Sequence, residues 1–453
     1  MKVSPVPPGP KGHFLVGSLP EIQRDELDFV MQQVREHGDV VHVRVVNHPS
    51  YILSHPRDIE TVLISKSSNF IKSVFLRESK ALFGDGLLTS DGALWQRQRR
   101  LLQPAFHHDH ILSYTRTMLE STARMLATWQ DGEERDVHQD MTRLTMEIVA
   151  KVLFGEDFSS DAEQACEAFG LFFQQYDERF GLYLIPEWLP TPGNLRYRRA
   201  IKRLDEVVLG IIRRKRTNGN GHSPDVLSVM LSAREGDGAG MAERQVRDEM
   251  MTLFFTGHET TALALAWTFY LLGKNPDKEQ KLQAEVDTVL EGRTPAFEDL
   301  ARLPYLEMVF KESLRLYPPA FGVVREAVND CEIGGYPIPK GSTLAMFQYV
   351  VHRDPRFFDR PEEFVPERWE NDFAKSLPRC AYFPFGAGPR LCIGNTFAQA
   401  EVPLVLANIV QKFQLQLVPG HRVATAPSLT LRPLKGIRVT LKKRRGGRIA
   451  ELR

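Results

Sequence analysis

Cysteine is scarce in this chain, with four residues among 453, and no two of them have C-x-x-C spacing. No histidine lies at zinc-finger spacing from them either, so the sequence excludes a disulfide framework and argues against a structural zinc site. This cysteine usage fits a reducing cytoplasm, where we expect the protein to work. An excess of one charge is also absent, because 58 Lys and Arg face 57 Asp and Glu. The net charge of +1 gives no reason to expect a nucleic acid partner.

The N-terminus lacks an apolar segment that could act as a signal peptide or a membrane anchor. One internal stretch, Met250–Gly273, is long and apolar enough to resemble a membrane span. Its centre, however, holds Gly257-His-Glu-Thr-Thr261, and a carboxylate at the middle of a bilayer would be costly. We therefore predict that this stretch is a buried helix and that the protein has no membrane span.

No internal repeat is present, and the pattern of apolar residues changes along the chain. Two β-branched runs flank Asn47-His-Pro and predict a hairpin over 40–46 and 50–53. From Arg57 to about Leu314 the spacing is mostly helical. Strands are predicted again at 331–341, 342–351, 414–418 and 436–441. We predict one mainly α domain over 1–453 with small sheets, an extended arm (1–20), a mobile surface loop (214–237) and a basic tail (442–453).

The segment Phe385–Gly394 places Cys392 in a glycine-rich loop, directly before a helix-compatible stretch over Ile393–Val410. A thiolate there would meet the positive end of a helix and unpaired backbone N–H groups, which lower the pKa of a cysteine. That suits a metal ligand or a nucleophile. The alternative is a structural cysteine in a Gly/Pro turn, since a free cysteine behaves as a small hydrophobic residue.

Two further motifs stand in the helical part of the chain. Glu312 and Arg315 lie three residues apart on a predicted helix, so they share a face and can pair. Upstream, Thr256-Gly-His-Glu-Thr260 puts a glycine inside a helix, where it costs about 1 kcal/mol relative to alanine. An opened helix here would hold dioxygen and water beside an acid and an alcohol, Glu259 and Thr260. A local kink stabilised by threonine hydrogen bonds to the backbone is the alternative.

The spacing F-x-x-G-x-R-x-C-x-G resembles the haem-ligand loop of the cytochrome P-450 superfamily at every fixed position, and the resemblance extends from about Pro7 to Leu441. It implies a helix-rich prism with a β-rich corner and a haem b cofactor. By this resemblance Cys392 is the axial thiolate and Phe385 shields it. Gly388 and Gly394 would let the backbone approach the porphyrin, and Arg390 would reach a haem propionate.

The resemblance also implies roles outside the loop. Trp95 and Arg99, at i and i+4, would bind a propionate together with Arg325. Glu312, Arg315 and Arg368, the last in Pro-Glu-Arg-Trp, would support the loop without taking part in the chemistry. Thr260 would hydrogen-bond the activated oxygen and Glu259 would relay protons. Thr256 departs from the family pattern, which often has alanine there.

The implied reaction is insertion of one oxygen atom of O2 into a C–H bond of a hydrophobic substrate, such as a fatty acid, a terpenoid or a steroid-like molecule. No room remains for a fused reductase, so we expect a ferredoxin or flavodoxin with its reductase, and a monomeric enzyme. Family substrate segments fall at 75–88, 169–184, 254, 320–323 and 429–430. From them we predict these pocket residues: Phe75, Leu87, Phe254, Thr256, Ala320, Phe321, Val323 and Leu429. A peroxide-using haem-thiolate enzyme and a haem-thiolate sensor remain as alternatives.

Overall fold

Helices account for most of the described residues between 56 and 316, as the apolar spacing predicts. The computed structural model describes residues 6–46, 48–77, 79–155, 189–217, 225–234, 238 and 240–444. Its α-helices are Leu19–Arg24, Glu26–His37, Pro56–Glu60, Val74–Arg77, Lys80–Phe83, Gly92–Leu102, His108–Ala127, Val137–Phe154, Pro192–Thr217, Val226–Ser232, Glu243–Lys274, Pro276–Leu290, Pro304–Leu316, Gln348–Val351, Phe373–Ser376 and Asn395–Lys412.

The strands are short and lie towards both ends of the chain. In chain order they are β1 (Val40–Val45), β2 (His48–Leu53), β3 (Phe70–Lys72), β4 (Glu134–Asp136), β5 (Val323–Ala327), β6 (Cys331–Ile333), β7 (Tyr336–Ile338), β8 (Thr343–Met346), β9 (Phe413–Leu417), β10 (Thr425–Pro427), β11 (Leu431–Pro433) and β12 (Arg438–Lys443). A five-stranded sheet has the order β1-β2-β8-β5-β3, with β2 and β8 parallel. The remaining strands form the sheets β4-β12-β9, β10-β11 and β6-β7.

The helix Glu243–Lys274, called the central helix below, carries the largest share of the core. It packs along the helix Val137–Phe154, and a Cβ at Gly257 would lie 3.2 Å from a methyl group of Val149. Glycine therefore lets these two helices approach closely. The helix continues through this point without a break, so its predicted opening is not seen. Among the described residues, none of the helices is both long enough and apolar enough to cross a membrane.

Four other sequence predictions need correction. The segment 342–351 is a strand only as far as Met346, and it continues as the helix Gln348–Val351. The loop predicted over 214–237 is helical at 214–217 and again at Val226–Ser232, while 218–224 and 235–237 lie outside the described residues. A buried ion pair between Lys215, in the first of these helices, and Asp225, directly before the second, joins them. At the ends, the predicted arm becomes helical at Leu19, and β12 runs into the predicted tail.

Candidate functional site

Cys392 lies three residues before the helix Asn395–Lys412, and its N–H donates to the carbonyl of Phe385 at 3.0 Å. The residue is exposed, yet enough protein surrounds the thiol for burial to raise its pKa. The Gly394 backbone N–H and the Arg99 guanidinium lower this pKa, but by less than burial raises it. The Gly394 N–H therefore lowers the pKa of the thiol as predicted, but burial, which the sequence does not show, outweighs it. A bound cation would stabilise the thiolate in such surroundings.

The two glycines of the loop, Gly388 and Gly394, have different surroundings. Gly388 has a φ of +69°, and a Cβ there would lie 2.0 Å from the carbonyl oxygen of Leu63. Its absent side chain thus makes room for the backbone of residue 63, which corrects the predicted reason. Gly394 has a φ of −84°, and its Cβ would meet only the Cys392 sulfur, at 3.9 Å. The protein itself leaves room for a side chain at Gly394.

Arg390 and Arg325 bring positive charge to the same region. Arg390 donates to Asp91 Oδ1 at 2.8 Å and lies over the Trp95 ring, 5.6 Å from its centroid. Its Nε is buried and, within the described part of the chain, has no hydrogen-bond partner. Burial, and then repulsion from Arg390, lower the pKa of Arg325 to about 10. Two guanidinium groups held together with one carboxylate between them are an arrangement that favours an added anion.

Lys72, which the sequence did not single out, is the third cation of this group. Its side chain is only 5% exposed, and its Nζ donates at 2.6 Å to the carbonyls of Leu87 and Ser90. The ammonium also lies 5.9 Å from the centre of the Trp95 ring. Burial is the largest cause that lowers the pKa of Lys72 to about 7, and the nearby arginines lower it further. A lysine inside a short strand carries no sequence signal for this role.

Arg99 lies against the cysteine loop. Its Nη1 donates to the carbonyl of Leu391 at 2.8 Å and its Nε to Gln103 at 3.1 Å. The guanidinium therefore contacts the residue before Cys392 and interacts electrostatically with the thiol. Trp95, one turn earlier on the same helix, lies beside Lys72 and Arg390 instead.

The structure brings the side chains of Glu312, Arg315 and Arg368 together. Arg315 donates to both oxygens of Glu312, at 2.9 and 2.8 Å, and neither side chain is exposed. Arg368 donates to Glu312 at 3.3 Å, and Trp369 donates at 2.9 Å. Arg315 also binds the carbonyls of residues 352, 361 and 363. This carboxylate and its donors join the helix Pro304–Leu316 to the segment that precedes the cysteine loop.

Glu259 and Thr260 do not contact each other in the way that the acid–alcohol pattern suggests. Thr260 Oγ1 donates to the carbonyl of Thr256 at 2.8 Å, which is the backbone interaction of the alternative interpretation. Glu259 is buried and accepts a hydrogen bond from Arg432 Nε at 2.6 Å and one from Thr430 at 3.1 Å. Arg432 is a residue that sequence reasoning missed, because it lies 173 positions away.

The predicted pocket residues divide into two groups. Phe254 and Phe321 are buried, and Phe254 contacts the rings of Phe154 and His258. Leu87 is also buried. The following are partly exposed: Thr256, Ala320, Val323 and Leu429. The side chain of Phe75 and the segment 169–184 lie outside the part of the chain that the structure describes.

Comparison with known proteins decides the family. The sequence model of the cytochrome P-450 family matches residues 7–441. The chain belongs to this family. Cyclooctatin synthase of Streptomyces melanosporofaciens is 37% identical over 437 residues, which are 94% of each chain. Cyclooctat-9-en-7-ol 5-monooxygenase of the same organism is 37% identical over 90% of this chain and 88% of its own length. Pentalenene oxygenase of Streptomyces avermitilis is 31% identical over 96% of each chain.

Solved cytochromes P-450 share the fold. A cyanobacterial member with retinoic acid bound superimposes with a TM-score of 0.89 at 27% identity, over 98% of this chain and 100% of the other. The predicted helix-rich fold with small sheets is therefore confirmed. Relatives are named monooxygenase and oxygenase, and this chain is an enzyme of that class, which uses O2, a hydrophobic substrate and a redox partner.

The family binds haem b through a cysteine thiolate, and the residues of this cytochrome P-450 fit that cofactor. Cys392 offers an exposed thiol, and Arg390 offers a buried Nε that has no partner among the described residues. Propionates would also neutralise the charge that Lys72 and Arg325 bring to this region. In the described part of the chain, no three His, Cys, Asp or Glu side chains converge as metal ligands, which leaves no competing zinc cluster there.

Proposed function

We propose that this cytochrome P-450 hydroxylates a terpenoid with O2, using electrons from a separate ferredoxin or flavodoxin and its reductase. The observation that carries the proposal is the likeness, over 88–96% of the relatives' lengths, to three bacterial oxygenases that act on terpenoids. Among the substrate classes that the sequence allowed, this favours a terpenoid over a fatty acid or a steroid-like molecule. The solved neighbour's ligand, retinoic acid, is likewise a largely apolar molecule.

In this proposal the Cys392 thiolate would bind the haem iron, and Arg390, Arg325 and Lys72 would hold the propionates. The haem, when bound, supplies the oxygen activation. The protein contributes a desolvated setting for the thiolate, in which the Gly394 N–H points at the sulfur. Hydrogen bonds to a ligating sulfur tune the electron density that it donates.

The central helix would supply the protons for the reaction. Thr260 is partly exposed, as is Thr256, and rotation of its hydroxyl group away from the Thr256 carbonyl would free its proton for donation. Glu259 is ionised in the folded protein, because Arg432 and two histidines together lower its pKa against the effect of burial. As a carboxylate it could take up a proton transiently and pass it on, although the lowered pKa makes it a weaker base while Arg432 is in contact with it.

A panel of terpene hydrocarbons and terpene alcohols tests the substrate class. We expect one or more of them to displace the axial water and change the spin state of the haem, and then to be hydroxylated by the reduced enzyme with O2. Fatty acids of similar size serve as the comparison. Tight binding and turnover of fatty acids alone would contradict the proposal, and turnover with peroxide but not with reduced ferredoxin and O2 would favour a peroxide-using enzyme.

The ligand assignment has a matched control in the chain. Cys392→Ser should abolish the carbon monoxide difference band of a thiolate-ligated haem, while Cys331→Ser, which changes a half-buried cysteine elsewhere, should keep it. A band at the position of histidine-ligated haem in the unmodified enzyme would overturn the assignment.

A further inference from the structure

Glu259 faces away from Thr260, towards the turn between β10 and β11. Successive residues of a helix point about 100° apart, so neighbours in sequence need not share surroundings. The hydrogen bonds follow this geometry: Thr260 donates back into the central helix, whereas Glu259 accepts from Arg432 on β11 and from Thr430 in the turn. The carboxylate thus bridges the central helix and the β10–β11 turn.

The groups around this carboxylate are mostly cationic or titratable. Arg432, His258 and His138 are the charged or titratable side chains that act on it. His258 lies one residue earlier on the central helix, and its Nδ1 is 2.7 Å from the carbonyl of Phe254. His138 lies near the start of the helix Val137–Phe154, and its Nε2 is buried without a partner among the described residues. Arg432 alone among them carries a permanent charge, so it decides the state of the carboxylate.

The turn that supplies these donors is fixed to the central helix and to the segment before β5. Trp267 donates its indole N–H to the carbonyl of Leu431 at 2.8 Å, and the Leu431 N–H donates to the carbonyl of Pro319 at 2.9 Å. Leu429, at the tip, is partly exposed and is one of the predicted substrate contacts. A molecule that pressed on the tip would therefore act on the residue next to it, Thr430, and so on Glu259.

We propose that Arg432 is a positioning residue that holds the Glu259 carboxylate against the β10–β11 turn and so couples contact of substrate with this turn to proton delivery along the central helix. The inference rests on the proposed function for the role of the proton, but the ion pair itself stands on the geometry. The side chain of Glu259 is 5% exposed and that of Arg432 is 19% exposed, so the attraction between them is only weakly screened by solvent.

An infrared pH titration of the carboxyl groups of the haem-loaded enzyme tests the ion pair. The signal of Glu259 is identified as the band that Glu259→Gln removes. In Arg432→Gln the desolvation of Glu259 is no longer offset, so its protonation midpoint should rise by about one pH unit or more, a tenfold change in the ratio of the two forms. Arg432→Lys should restore most of the shift. Arg438→Gln, on β12, the next strand in sequence but in another sheet, is half-exposed; it is the matched control and should change nothing.

Thr430→Val removes only the weaker hydrogen bond and should raise the midpoint by a smaller amount, which keeps the test decisive if Arg432→Gln does not fold. An unchanged midpoint in a folded Arg432→Gln, or in Thr430→Val where the former fails to fold, would overturn the proposal. The second readout is the fraction of electrons lost to peroxide, measured against pH with a surrogate ferredoxin, its reductase and a terpenoid that changes the spin state. A midpoint that moves without any change in the pH profile of peroxide loss would refute the proton role of Glu259 and leave its positioning by Arg432 intact.

Discussion

Gly388 and Gly394 both lie close to Cys392 in the loop, four residues before it and two residues after it. Their substitution by alanine should nevertheless have very different effects. At Gly388 the new methyl group would lie 2.0 Å from the Leu63 carbonyl oxygen, and φ is +69°. At Gly394 the methyl group would have ordinary contact with the sulfur, at 3.9 Å, and φ is −84°.

The cost at Gly388 has two parts. A left-handed backbone costs an alanine about 1–2 kcal/mol. A methyl group forced into a closely packed backbone costs about 1–3 kcal/mol, because Leu63 is itself buried and cannot withdraw freely. The sum is about 2–5 kcal/mol of unfolding free energy, whereas Gly394→Ala should cost less than about 1 kcal/mol, since neither part applies.

Urea unfolding of the haem-loaded variants, followed by far-ultraviolet circular dichroism, measures this difference at equal haem content. Gly388→Ala should also retain haem less well, because relief of the clash moves the loop that ends in Cys392. If both variants lost the same stability, or if Gly394→Ala lost more, the Leu63 carbonyl would not be the reason for the glycine at 388. A loss of haem without loss of stability in Gly394→Ala would instead indicate close porphyrin approach at that residue.

Two further substitutions test the buried carboxylates. Glu312→Gln leaves Arg315 fully buried beside a neutral partner and should cost about 3–5 kcal/mol in urea unfolding, while Glu307→Gln, on an exposed face of the same helix, should cost less than about 1 kcal/mol. Equal losses of unfolding free energy in the two variants would contradict the role of Glu312 as the buried partner of Arg315. Burial raises the pKa of Glu401 to about 8, so the folded state binds this proton more tightly than the unfolded state, and the wild-type protein loses stability as pH rises from about 4.5 to 8. The melting temperature of Glu401→Gln should therefore fall less between about pH 6 and pH 8, and parallel curves would refute the assignment.

Local motifs made much of the site predictable. The cysteine loop and the Glu312–Arg315 pair each occupy fewer than a dozen consecutive residues, so their spacing alone predicts which groups share a helix face or a turn. The hairpin of β1 and β2 was predictable for the same reason, since the turn between the strands follows directly in sequence.

Interactions between distant segments were not predictable in this way. Lys72 gains its role from carbonyls 15 and 18 residues away and from arginines much further along the chain. Composition alone predicts a polar loop around Val226–Ser232. The structure has a helix there, which Asp225 caps at its start while it pairs with Lys215. A single sequence shows the charges of these residues but not which of them meet, because tertiary contacts decide that.

The acid and the alcohol of the central helix show how a correct motif can mislead about contact. Adjacency in sequence suggests one proton path through Glu259 into Thr260, but adjacency on a helix sends the two side chains in different directions. The structure gives each a separate partner, the Thr256 carbonyl for Thr260 and Arg432 for Glu259. A proton that passes between them must therefore cross the helix surface, through water or after a side-chain rotation. Under the proposal made above, the strength of the Arg432 ion pair would set how readily Glu259 leaves its resting position, and β11 would take part in timing proton delivery although it lies far from the motif in sequence.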